Sequence, residues 1–238
     1  MTSEFSYDFS YWAVVPAAGV GKRMLSDIPK QYLLIGGKTV LDTTLARLLK
    51  HKKIEGVVLA VSSDDEYWPE SVFFNHEKVI TIAGGQERSD SVFNALTRLA
   101  SEKPGSTRVL VHDAARPCVN HKDMDALINA VGSSQDGGLL GVPVKDTMKK
   151  TAADKRIEAT LDRNQLWHAF TPQLFPLENL LAALEHVRQN NLEITDDASA
   201  MEINGYKPLM VEGSQKNIKI TRPDDLALAE FYLQNENL

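Results

Sequence analysis

Short apolar runs alternate with helix-periodic segments along most of this chain. Trp12–Val15, Gly56–Val61, Val79–Ala83, Arg108–Val111 and Gly137–Pro143 read as strands. Such continuous runs are usually buried on both faces of a parallel sheet. Between them, Thr39–His51 carries Val40, Leu41, Leu45, Leu48 and Leu49 on one helical face. Further helices follow through Val92, Leu96 and Leu99, and from Lys122 to Val131. The order β-α-β, repeated, predicts an α/β fold.

The pattern changes at Asp146. Thr147–Thr151 and Ile157–Leu161 are polar, β-branched segments joined by Ala152–Arg156, which predicts an exposed hairpin. A two-stranded ribbon is marginal alone, so this one is expected to pack on a partner subunit. Leu166–Phe170 and Thr171-Pro172-Gln173 lead the chain back to the main body. Leu177–Val187 reads as an amphipathic helix, and Thr195-Asp196-Asp197 as the capped, acidic start of another over Ala198–Ile203. The chain closes with Leu209–Val211, a predicted strand Ile218–Thr221, and a last helix opened by Thr221-Arg222-Pro223-Asp224-Asp225.

At 238 residues the chain can bury a sizeable core. Its net charge is −6 and its pI near 5.5, which argues against a nucleic-acid or membrane-surface protein. Anionic ligands must then be met by local clusters of cations. Cys118 is the only cysteine, so an intramolecular disulfide is excluded and a reducing, cytoplasmic setting is expected. No apolar run is long enough to span a membrane. The first eleven residues carry two acidic and no basic groups, and are expected to form a short leader rather than a secretory or transit signal.

The densest candidate chemistry lies at the start. Pro16-Ala17-Ala18-Gly19-Val20-Gly21 follows the first strand with small residues, and Lys22, Arg23 and Lys30 come after it against one carboxylate, Asp27. Backbone amides beside a helix N-terminus favour an anion, and added cations strengthen that preference. A polyphosphate site is the reading, although a plain strand-to-helix turn with surface lysines fits the same spacing. A dinucleotide fingerprint is opposed by Met24, which stands where the third glycine belongs. Gly37-Lys38-Thr39 mimics a P-loop end, but Tyr32 occupies the position of its first glycine, so Gly36-Gly37 is read as a turn.

Two later stretches add to the picture. Gly84-Gly85 stands between a strand end and a hydroxyl-rich helix start that includes Ser91. It fits either a ligand wall or an ordinary βα turn. His112-Asp113-Ala-Ala-Arg116-Pro117 also sits at a strand's carboxyl end, where open α/β sheets bind ligands. Asp113 could hold a magnesium ion and Arg116 a phosphate, or the two could form an ion pair that caps the loop. No partner at ligand spacing makes His112 a metal ligand.

In order, PAAGVGKRM with PKQY, GGQERSDSV, VHDAARP, DTMK, DRNQLWHAFTPQ, TDDASAME and EGSQKNIKITRPDDL span about Trp12 to Tyr232. Together they resemble the 2-C-methyl-D-erythritol 4-phosphate cytidylyltransferases of the non-mevalonate isoprenoid pathway. The resemblance implies a Rossmann-like nucleotidyltransferase (nucleotide-diphospho-sugar transferase) fold, with a mostly parallel sheet, helices on both faces and a protruding β-arm. One domain over residues 1–238 is expected, its dimerisation arm at about 146–170, with no room for the second domain of bifunctional relatives. CTP and 2-C-methyl-D-erythritol 4-phosphate are the implied substrates, Mg2+ the implied cofactor, and a homodimer the implied assembly.

Residue by residue, the resemblance implies that Ala17, Ala18, Gly19 and Gly21 line the nucleotide, with Gly84, Gly85 and Ser91 reading the cytosine. It places Arg23 and Lys30 at the α-phosphate and gives Lys22 a supporting part. Asp113, Arg116 and Lys219 would meet the methylerythritol phosphate and the metal-bound phosphates, and Thr147 and Arg163 would reach a partner's site. Arg23, Lys30 and Lys219 are the implied catalytic residues. A ribitol 5-phosphate cytidylyltransferase is the nearest alternative. A non-catalytic nucleotide sensor would not need cations at the α-phosphate, and a nicotinamide dehydrogenase lacks its third glycine.

Overall fold

The structure, a computed structural model, describes residues 9–19 and 28–235. Among these, seven strands form one sheet: β1 (Tyr11–Pro16), β4 (Ile54–Val61), β5 (Val79–Ala83), β6 (Arg108–Val111), β7 (Gly138–Pro143), β10 (Trp167–Pro176) and β11 (Leu209–Glu212). Their spatial order is β11-β7-β10-β6-β1-β4-β5. All neighbouring pairs are parallel except those of β10, which runs antiparallel to both β6 and β7.

Connectivity determines where a ligand can enter. From β1 the chain moves outward to β4 and β5, then crosses back to place β6 on the other side of β1. The carboxyl ends of β1 and β6 therefore flank a topological switch point, where connections leave in opposite directions and open a crevice.

Strand alternation divides the core between the two sheet faces. Ala13 and Val15 face one cluster, completed by Leu41, Leu45 and Leu48 of α1 (Val40–Lys50) and by Met124, Leu127 and Val131 of α3 (His121–Val131). Trp12 and Val14 face the other, with Val92, Leu96 and Leu99 of α2 (Arg88–Ala100), Leu180 and Leu184 of α4 (Leu177–Gln189) and Met201 of α5 (Asp197–Ile203). Each fully buried leucine contributes about 1.5–3 kcal/mol of apolar burial. Thr39 caps α1 by accepting from the Asp42 amide, and Asp196 caps α5 by accepting from the Ser199 amide. Gly36 and Gly37 both have positive φ, as the two-residue turn between β2 (Leu34–Ile35) and β3 (Lys38–Thr39) requires.

The hairpin lies where the sequence pattern sets it. β8 (Met148–Thr151) and β9 (Ile157–Leu161) pair only with each other and stand apart from the main sheet, with Ile157 64% exposed. One predicted strand is corrected. Ile218–Thr221 joins no sheet; the Ile220 amide donates to Ala115 O at 2.8 Å. Its alternation arises because Ile218 and Ile220 turn toward a third cluster that includes Ala229 of α6 (Pro223–Gln234), Ile35 and Cys118.

Candidate active site

Three loops meet at the switch point. Beyond β1, Ala17 donates its amide to Ala60 O at 2.7 Å, and buried Gln31 donates Nε2 to Ala17 O and Gly19 O at 2.8 and 3.2 Å. Gln31 lies in the 3-10 turn Lys30–Tyr32, so one turn both orders the first loop and brings up Lys30. Lys30 Nζ donates to Ile220 O at 3.3 Å.

The loop after β5 forms the second wall. Gly85 donates its amide to Ser91 Oγ at 3.0 Å, and Ser91 Oγ donates to Glu87 O at the start of α2. Gly84 is required by close approach: a Cβ there would lie 2.5 Å from Ala18 Cβ. A side chain at this position would push apart the loops after β1 and β5.

The floor comes from the end of β6. Asp113, 7% exposed, accepts from Arg88 Nε on Oδ1 at 3.0 Å and from Lys219 Nζ on Oδ2 at 2.8 Å. Arg116 Nε approaches Oδ2 at 3.5 Å. Burial alone would raise the Asp113 carboxyl, but Arg88, then Lys219 and Arg116, outweigh it and hold the group far below the usual carboxylate range. Asp113 is thus charged at neutral pH and surrounded by cations.

Behind it, hydrogen bonds determine a tautomer. The Asp113 amide donates to Thr171 Oγ1 at 3.0 Å, which frees the hydroxyl hydrogen for His112 Nδ1, also at 3.0 Å. His112 Nε2 faces Arg116 O at 3.0 Å, and a carbonyl can only accept, so the neutral ring carries its proton on Nε2. Burial lowers His112 to about 4. Both ring nitrogens are therefore engaged in holding the loop.

Most of the predicted residues meet here. Ala17, Ala18, Gly19, Lys30, Gly85, Ser91, Asp113 and Lys219 line one pocket together with Gln31 and Arg88, and Gly84 abuts it through Ala18. Arg116 lies beneath instead: its guanidinium stacks over Phe170 at 4.9 Å and Nη1 donates to Asn217 O at 2.7 Å. Thr147 and Arg163 are exposed at the base of the hairpin, where Arg163 Nη1 donates to Lys145 O. Gly21, Lys22 and Arg23 lie outside the described residues. Sequence reasoning missed Gln31, Arg88 and Asp197. Each lay within a quoted motif, but their roles appear only when loops far apart in sequence are brought together.

A sheet of this topology, with a small-residue loop and a lysine–carboxylate cluster at its switch point, is that of the Rossmann-like nucleotidyltransferases. The family model described as 2-C-methyl-D-erythritol 4-phosphate cytidylyltransferase (IspD) matches residues 11–235. The chain is 54% identical over 224 residues to the protein of that name from Vibrio vulnificus (strain CMCP6), covering 94% of each. It is 52% identical to the one from Vibrio parahaemolyticus serotype O3:K6 (strain RIMD 2210633) over 227 residues, 95% of this chain and 97% of the relative. Among solved structures, the Francisella tularensis 2-C-methyl-D-erythritol 4-phosphate cytidylyltransferase superposes with TM-score 0.81 at 39% identity, covering 93% of this chain and 99% of that one. A 4-diphosphocytidyl-2C-methyl-D-erythritol synthase superposes with TM-score 0.83 at 36% identity, over 94% of this chain and 99% of that one. The chain belongs to the 2-C-methyl-D-erythritol 4-phosphate cytidylyltransferase family.

Proposed function

We propose that this pocket is where the chain carries out the reaction of its family, the condensation of CTP with 2-C-methyl-D-erythritol 4-phosphate to give 4-diphosphocytidyl-2-C-methyl-D-erythritol and pyrophosphate. The observation that carries the reading is the convergence of Lys30, Lys219 and Arg88 on a small-residue loop at the switch point. Two anions must meet there, and cations held in place are what the reaction demands.

An acceptor phosphate oxygen bonds to the α-phosphorus as the bond from that phosphorus to the β-phosphate oxygen breaks, and pyrophosphate leaves. A phosphate monoester is already largely dianionic at pH 7, so a general base is unnecessary. Catalysis then consists of positioning and charge neutralisation. Ala17, Ala18, Gly19, Gly21, Gly84, Gly85 and Ser91 hold the nucleotide, with Lys22 in support. Arg23 and Lys30 serve the α-phosphate. Lys219 and Asp113 face the acceptor, with Arg116 supporting Asp113 from below.

Among the described residues, no group of three His, Cys, Asp or Glu side chains could hold a metal ion. Mg2+ commonly uses one or two carboxylates and completes its shell with phosphate oxygens and water. Asp113 has lone pairs beyond its two close contacts and fits such an ion arriving with the nucleotide. The ion would neutralise phosphate charge.

The working unit in this reading is one domain over residues 1–238, dimerised through the arm at about 146–170, so that Thr147 and Arg163 complete a partner's pocket. Exposed Ile157 and Leu161 on a two-stranded ribbon support that assembly. A cytoplasmic, reducing setting suits the lone thiol of Cys118. Pyrophosphate release from CTP, with methylerythritol phosphate and ribitol 5-phosphate as parallel acceptors, tests the substrate. Turnover with methylerythritol phosphate is expected, and turnover with ribitol phosphate alone would move the chain to the alternative.

A further inference from the structure

Asp113 belongs to a row of alternating charges whose far end lies outside the pocket wall. Arg88 Nε contacts Asp113 Oδ1 at 3.0 Å, and Arg88 Nη1 contacts Asp197 Oδ2 at 2.9 Å. The Asp197 side chain is 1% exposed, whereas that of Arg88 is 29% exposed and lines the pocket. Two carboxylates on different nitrogens of one guanidinium define its plane.

The anchoring of Asp197 is itself rigid. It stands in the first turn of α5, whose N-terminus is held to β10 by Gln173: Nε2 donates to Asp196 Oδ2 and Oε1 accepts from the Ala198 amide, both at 2.8 Å. Among the described residues, Asp197 Oδ1 and Arg88 Nη2 are buried without a hydrogen-bond partner. A buried pair with unsatisfied atoms adds little net stability, because desolvation offsets the attraction. Retaining it makes sense if its value is geometric.

We propose that Asp197 is a positioning residue for the transfer: it fixes Arg88, and through Arg88 the orientation in which Asp113 presents Oδ2 to Lys219. This rests on the reading that Asp113 and Lys219 face the acceptor. Without Asp197 the guanidinium keeps its contact with Asp113 but loses its second anchor. Asp113 and Lys219 then shift together, whereas the loops after β1 and β5, assigned to CTP, remain in place.

Steady-state kinetics on the full-length chain, with KM measured for both substrates, test this. Asp197→Asn is expected to raise KM for methylerythritol phosphate about tenfold, less than the 10²-fold that about 1 Å of misplacement can cost. KM for CTP should stay within about twofold. A merely structural residue would lower the active fraction, and so kcat, with both KM values unmoved. Arg88→Met combined with Asp197→Asn leaves no unpaired charge in the buried pair and keeps the test available if the single variant folds poorly. If Asp197 acts through Arg88, the double variant has the KM of Arg88→Met alone. An unchanged acceptor KM in folded Asp197→Asn, or additive effects in the double variant, would overturn the proposal. Lys219→Ala in the same series separates the two failures: an acceptor KM unmoved by Lys219→Ala would remove the underlying reading as well.

Discussion

Lys219 Nζ lies 2.8 Å from Asp113 Oδ2, so a lysine from the last loop is held against a carboxylate at the end of a central strand. The contact depends on Ile220, whose amide is pinned to Ala115 O across the β6 loop. It joins the C-terminal segment to the switch point and adds a cation to the pocket proposed as the reaction centre.

Asp113→Asn would leave Arg88, Arg116 and Lys219 facing a neutral amide. Removing one partner from a buried ion pair is expected to cost about 3 kcal/mol, measured by urea unfolding at pH 7. Because the folded-state pKa is depressed, the Asp113 contribution is present above the unfolded value near 3.9 and lost as pH falls through the folded one. Equal stability of variant and wild type at pH 7 would contradict this electrostatic account.

Cys118 Sγ is buried 3.6 Å from Ala229 O, and burial raises its pKa to about 11 against the opposing pull of Arg47. The folded value lies above the unfolded one, so this group's contribution is present below about pH 8.5 and lost as pH rises through about 11. Iodoacetamide at pH 8 should therefore label the native chain at least about a hundredfold more slowly than the urea-unfolded chain. Equal rates would place Cys118 in solvent.

The arm makes a test by complementation. Arg163→Ala and Lys30→Ala chains should each be inactive alone. If each pocket borrows Arg163 from its partner, random re-pairing restores about a quarter of the sites, because half of the dimers carry one intact pocket. No recovery in verified mixed dimers would mean that each pocket is built within one chain.

Much of this was legible in the sequence because the signals were local. Trp12–Val15 and Gly56–Val61 are apolar enough to declare themselves as buried strands, and Asp196 caps α5 with its own side chain. Gly36-Gly37 marks its turn by needing positive φ. What was missed depended on distant contacts. The period-2 pattern of Ile218–Thr221 records packing against α6 and carries no information about a sheet neighbour. Arg88 and Asp197 stand 109 residues apart and meet only in the folded chain, and the antiparallel direction of β10 follows from how the arm returns. Arg116 read first as a phosphate ligand, with an ion pair to Asp113 as the weaker alternative; besides Asp113 it contacts Phe170 and Asn217, which lie in chain segments that its own motif does not contain.

The central claim is that the loop after β1, with the cations gathered around it, is the reaction centre, and Lys30→Ala tests it most directly. We predict that pyrophosphate release with CTP and methylerythritol phosphate falls in kcat by about two orders of magnitude or more, the scale of a lost transition-state donor. A folded Lys30→Ala variant with near-normal kcat would contradict the account, because the chemistry would then take place without the lysine that this pocket is built to present.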